Sequence, residues 1–73
     1  MWIRAKDTNK IINLNLCENI YVVPYSYSQY SVTACQNGDK HYIGVYNTED
    51  EANKAFETIW HIIARNDYLI TMD

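Results

Sequence analysis

The chain has 73 residues, of which 48% are hydrophobic and 21% charged, and a formal net charge of -3. That composition is globular rather than disordered, and the length accommodates a single domain, 1–73. No apolar run approaches the roughly 20 residues of a membrane-spanning helix, and residues 1–7 have no apolar stretch of the kind that marks a secretory signal, so the expectation is a cytoplasmic, soluble protein with no membrane association.

Trp2-Ile3-Arg4 reads as a short first strand, and Asp7-Thr8-Asn9-Lys10 as a turn, because Asp and Asn side chains bond their own backbone in turns. Ile12, Leu14 and Leu16 then alternate with Asn13, Asn15 and Cys17, a period of two that places the apolar trio on one face of a second strand. Glu18-Asn19 interrupts that pattern. Ile20-Tyr21-Val22-Val23 forms the next strand, which Pro24 either ends or places at a sheet edge. Tyr25-Ser26-Tyr27-Ser28-Gln29-Tyr30 alternates aromatic and small polar groups, and the strand running on from it puts Tyr30, Val32 and Ala34 on one face.

Asn37-Gly38 is a hairpin signal, because a type I′ turn needs positive φ at both central residues. The returning strand runs from His41 to Tyr46, with His41, Ile43 and Val45 on one face and Tyr42, Gly44 and Tyr46 on the other. Thr48 followed by Glu51 is a capping box, and Glu49, Asp50 and Glu51 favour the positive end of the helix dipole. Ala52, Ala55, Phe56, Ile59, Ile62 and Ile63 recur on one helical face, so the spacing predicts a helix over about 49–65. Trp60 flanks that stripe, either as the core's edge or as an extension of an apolar patch. The short tail 67–73 is too apolar to stand free in solvent and is expected to dock on a sheet edge or a second subunit. The predicted class is α+β: strands within 2–46 form a four- to five-stranded antiparallel sheet, with one C-terminal amphipathic helix packed on one face.

Met1-Trp2-Ile3-Arg4 with Ile11-Ile12-Asn13, and Ile43-Gly44-Val45-Tyr46-Asn47-Thr48-Glu49-Asp50-Glu51-Ala52 leading into an amphipathic helix, resemble a group of short uncharacterised proteins encoded by Gram-positive bacteria and their phages or prophages. The likeness covers most of the chain in the same strand–strand–hairpin–helix order. It implies α+β topology and an origin on a mobile element, and it carries over no catalytic residue.

A core of this size supplies only about 3–5 kcal/mol, so small domains draw on disulfides, metals or a second subunit. Cys17 and Cys35 are expected to be free thiols in a reducing compartment. They and His41 and His61 lack metal-ligand spacing, so no metal and no cofactor is expected. A homodimer is the remaining support. Arg4, Lys6, Lys10, Lys40, Lys54 and Arg65 are scattered among acids, which argues against duplex nucleic acid as a partner.

Two glycines, Gly38 and Gly44, make no phosphate-cradling loop. Cys35 and His41 lie on strands joined by the Asn37-Gly38 turn and could form a nucleophile–base pair, although no orienting third group or oxyanion site accompanies them. The acids of Glu49-Asp50-Glu51 are accounted for by the helix start. Seven tyrosines remain: Tyr21, Tyr25, Tyr27, Tyr30, Tyr42, Tyr46 and Tyr68. Tyrosine gives large contact area with a polar tip at low entropic cost, which suits recognition.

Tyr25, Tyr27, Tyr42 and Tyr46 are expected to carpet the sheet face away from the helix, and the binding candidates are Tyr25, Tyr27, Tyr30, Tyr42, Tyr46 and Trp60. That surface serves a partner, serves self-association, or is simply made of good strand formers; stacking on single-stranded bases is disfavoured by the missing basic groove. The leading expectation is a small non-enzymatic interaction protein of phage or prophage origin that inhibits a host defence protein. The alternative is a small-molecule-binding module with its pocket at a dimer interface, built from Tyr and Trp rings with Arg4 or Arg65. A thiol-based enzyme ranks last.

Overall fold

The computed structural model describes residues 2–6 and 9–65, and the backbone of 69–71. The chain is α+β, with strands β1 (Trp2–Arg4), β2 (Ile11–Asn13), β3 (Asn19–Ser26), β4 (Gln29–Gln36) and β5 (Asp39–Tyr46), helix α1 (Glu49–Ala64) and strand β6 (Leu69–Thr71).

The strands do not form the expected single antiparallel sheet of four to five strands. They divide into two three-stranded sheets, ordered β2-β1-β6 and β3-β4-β5. The first is mixed: β1 pairs antiparallel with β2 and parallel with β6, so the backbone of residues 69–71 lies along β1, and the rest of the apolar tail lies outside the described residues. The second is an antiparallel meander. The two sheets meet where the Lys6 N–H donates to the Ile43 carbonyl at 2.7 Å. Ile43 is free to accept because it is an extra residue in β5. Val32 pairs with Gly44 and Thr33 with Tyr42, which leaves Ile43 opposite no partner in a β-bulge.

The alternating run through Leu14 and Leu16 is not a strand. Beyond Asn13 the chain tightens into a 3₁₀ turn, Leu14–Leu16, and the Asn13 side chain accepts the Asn15 N–H at 3.1 Å. An asparagine that bonds its own downstream backbone competes with ladder formation, and here it ends β2. Pro24 stays inside β3, which is permitted because β3 pairs only with β4 and is an edge of its sheet. The turn at Tyr27-Ser28 closes the β3–β4 hairpin, with Ser26 opposite Gln29 and the Ser26 hydroxyl bonded to Gln29 Oε1 at 2.7 Å. At the next hairpin Asn37 and Gly38 have φ of 51° and 83°, as a type I′ turn requires.

Helix α1 begins at Thr48, whose hydroxyl accepts the Glu51 N–H at 3.2 Å and lies 3.1 Å from Glu51 Oε1. Its apolar stripe covers one face of β3-β4-β5. Ala52 and Ile59 are buried there with Val32, Ala34 and Ile43, and the core continues into Ile3, Ala5 and Ile12 of the first sheet. Tyr46 also belongs to this core. A Cβ on Gly44 would lie 2.7 Å from the Tyr46 hydroxyl, so glycine is what lets the ring fold back over the strand, while the Lys6 ammonium caps that ring at 4.4 Å from its centroid. Among the described residues no helix is long and apolar enough to cross a membrane.

Candidate functional site

Register decides which tyrosines share a surface, since paired residues in an antiparallel sheet point to the same side. Tyr30 pairs with Tyr46 and Val32 with Gly44, which places both tyrosines on the helix side. Tyr21 pairs with Thr33, and Thr33 with Tyr42, so these point away from the helix. The expected carpet of Tyr25, Tyr27, Tyr42 and Tyr46 is therefore corrected. Tyr46 is 7% exposed and lies in the core. Tyr30 is half-buried against the same core. Tyr27 occupies the tip of the β3–β4 turn, fully exposed.

Tyr25 and Tyr42 do come together, at 5.0 Å between ring centroids with planes at 87°. This edge-to-face contact is worth about 0.5–1.5 kcal/mol beyond its area. Both rings stay accessible, at 47% and 44%. Tyr21 completes the outer group and was not among the expected binding residues; its signal was its alternation with Ile20 and Val22, readable only once the β3–β4 register was known. Beneath this surface Ser31 and Thr33 of the central strand are fully buried, their hydroxyls 2.7 Å apart. The register flanks them with tyrosines and valines, and each hydroxyl satisfies the other in place of water.

Cys35 pairs with Lys40 and His41 with Ala34, so the thiol faces outward while the imidazole faces the helix side. The turn brings the two strands together but places these side chains on opposite faces, which removes the geometry of a nucleophile–base pair. Among the described residues the buried Nδ1 of His41 has no hydrogen-bond partner, and no three potential ligands gather as a metal site. Cys17 packs against the helix-side core, and its Sγ is 3.6 Å from the Asn13 carbonyl oxygen. Burial, and secondarily the nearby Cys35, push the Cys17 thiol pKa up, away from a reactive thiolate.

Trp60 stands apart from the tyrosines. It is 58% exposed and borders a groove of about 310 Å³ between the second half of α1 and the segment leading into β3. Phe56, Ile59 and Ile63 form one wall; Leu14, Cys17 and Ile20 form the other. Glu18 and Asn19 supply the polar part of the lining, and Glu18 Oε1 accepts the Asn37 N–H at 2.9 Å. Comparison with known proteins finds no matching family model, no matching curated protein and no matching solved structure.

Proposed function

We propose that the chain is a small non-enzymatic interaction protein that docks a partner protein on the outer face of β3-β4-β5. The observation that carries this reading is the Tyr25–Tyr42 pair, half-exposed and locked edge to face on a sheet whose central residues are fully buried. Rigid aromatic rings with free hydroxyl tips lose little entropy on binding, which is why they dominate recognition surfaces. Tyr21 extends the patch along β3, and Tyr27 at the turn lengthens it in the other direction. The separation of Cys35 from His41 onto opposite faces supports a role without thiol catalysis.

We further propose that the chain is related to the short proteins of Gram-positive bacteria and their phages that its sequence resembles, and that its partner is a host defence protein that it inhibits. A net charge of -3 favours encounter with a basic surface. In this reading the molecule acts in the host cytoplasm.

A photo-crosslinking phenylalanine analogue placed at Tyr42, and as a control at Glu57 on the exposed side of α1, tests the proposal in cells expressing the chain. The expected result is one discrete adduct from position 42, absent from position 57 and lost when Tyr25 is also replaced by Ser. An adduct of twice the chain's own mass would assign the face to self-association instead. Equal labelling from both positions, or none from position 42, would refute the reading.

A further inference from the structure

We propose that the groove between α1 and the Leu14–Ile20 segment is a binding site for a small apolar amine, independent of the tyrosine face on the other side of the sheet. Its volume of about 310 Å³ lies at the lower end of the range for small-molecule sites and admits a ring or short branched chain. Phe56, Ile59, Ile63, Leu14 and Ile20 offer nothing to a polar body, so the buried part of the ligand is hydrocarbon.

The head group is set by charge. Glu18 is the charged residue among the described lining, and no Lys or Arg joins it. Its Oε1 accepts the Asn37 backbone N–H at 2.9 Å, and that bond leaves the second carboxylate oxygen for a ligand. A carboxylate and a half-exposed indole lining one apolar groove suit an ammonium, which donates a charge-assisted hydrogen bond to the first and is attracted by the ring of the second. A carboxylate or phosphate in the same place would meet Glu18 with like charge. The Cys17 thiol is raised toward its neutral form and adds wall, not charge.

Phenethylamine, 2-phenylethanol and phenylacetate share one body and differ in head-group charge, so they separate these contributions. Each is titrated into the purified full-length chain while amide and indole N–H resonances are followed by NMR. Trp2 lies outside the groove and serves as the internal reference for Trp60. Phenethylamine is expected to shift the Trp60 indole and the Ile59 and Ile63 amides saturably, with a Kd on the order of 1 mM. Phenylethanol should bind about fivefold more weakly, and phenylacetate more weakly still.

Glu18→Gln keeps an oxygen for the Asn37 N–H while removing the charge. It should bring phenethylamine to the affinity of phenylethanol and leave phenylethanol unchanged. Ile63→Trp fills the groove and should abolish all three; should that variant not fold, protection of Cys17 from alkylation by phenethylamine in the native chain replaces it. Phenylacetate binding as tightly as phenethylamine, no saturable shift from any probe, or shifts confined to Tyr25 and Tyr42 would each overturn the assignment.

Discussion

The two faces of β3-β4-β5 bury the same central strand by different means. On the helix side Val32 and Ala34 lose all contact with water because a separate element, α1, lies across them with Ala52 and Ile59. On the outer side, the face opposite α1, Ser31 and Thr33 are buried just as completely. We infer that their shielding is lateral, because the register sets Thr33 between Tyr21 and Tyr42, and Ser31 between Val23 and Val45. The helix side ends as a sealed core, whereas the outer side ends as a rigid aromatic surface still open to solvent. The central strand is thereby buried on both sides while Tyr25 and Tyr42 stay accessible on one of them.

The contrast is broken most severely from the helix side. Ile59→Ala removes a fully buried side chain at the centre of the α1 contact and should cost about 2–5 kcal/mol. A core of this size supplies about 3–5 kcal/mol, so the variant should be largely unfolded at room temperature by circular dichroism. A cooperative transition within a few degrees of the parent would mean that α1 is not what seals this face. Gly44→Ala probes the same side more locally. The added methyl must displace the Tyr46 ring from its place under Lys6, at about 1–3 kcal/mol, and thermal unfolding should report a drop of several degrees.

The outer face responds in another pattern. Thr33→Val keeps the shape and removes one hydroxyl of the buried pair, which leaves Ser31 without its partner and should cost about 1–3 kcal/mol. Combining it with Ser31→Ala removes both hydroxyls, so the double variant should recover much of that loss. If the double variant is as unstable as the sum of the singles, water reaches these hydroxyls and lateral shielding is the wrong account. A smaller effect separates packing from function on the same face. In a double-mutant cycle of Tyr25→Ala and Tyr42→Ala the coupling should be about 0.5–1.5 kcal/mol, the edge-to-face contact alone.

The helix side was the more legible in sequence. The stripe Ala52, Ala55, Phe56, Ile59, Ile62 and Ile63 has helical period, Thr48 and Glu51 mark its start, and Asn37-Gly38 announces its hairpin; each is a local signal with one geometric solution. The outer face depends on register, which no local signal carries. The turn at Tyr27-Ser28 has none of the glycine or asparagine that marks a primed turn, and the bulge at Ile43 shifts Tyr42 and Tyr46 onto opposite faces, although their spacing of four along β5 puts them together. Alternation alone therefore places Tyr46 outside, whereas the structure has it inside, and it gives no sign that Tyr21 joins the outer group. The division into two sheets was hidden for the same reason: the chain just after β1, at Lys6, meets β5 at the carbonyl that the bulge releases. The groove beside Trp60 arises where the Asn13 side chain turns the backbone away from the strand path, a competition between side chain and ladder that alternation alone does not decide.

The smallest effect separates the faces through their thiols. Cys17 packs toward the helix side and Cys35 points outward. Burial, and then the charge of Cys35, raise the Cys17 pKa in the folded chain above that of the unfolded chain. The sign follows from proton binding: between those two pKa values the unfolded chain holds fewer protons than the folded one, so stability falls as pH rises through that window and is unaffected below it. The urea midpoint should therefore decline as pH is raised from about 8 to 10, and Cys17→Ala should flatten the part of the decline that belongs to this thiol. Cys35→Ser removes only the second cause, so it should lower the Cys17 pKa part of the way. Mass-resolved alkylation at mildly alkaline pH provides the independent reading, with Cys17 modified more slowly than an unstructured thiol and faster once Cys35 is replaced. Modification of Cys17 at the rate of an unstructured thiol would show that the helix-side packing does not extend to the 3₁₀ turn, and the contrast between the two faces would end at Ile20.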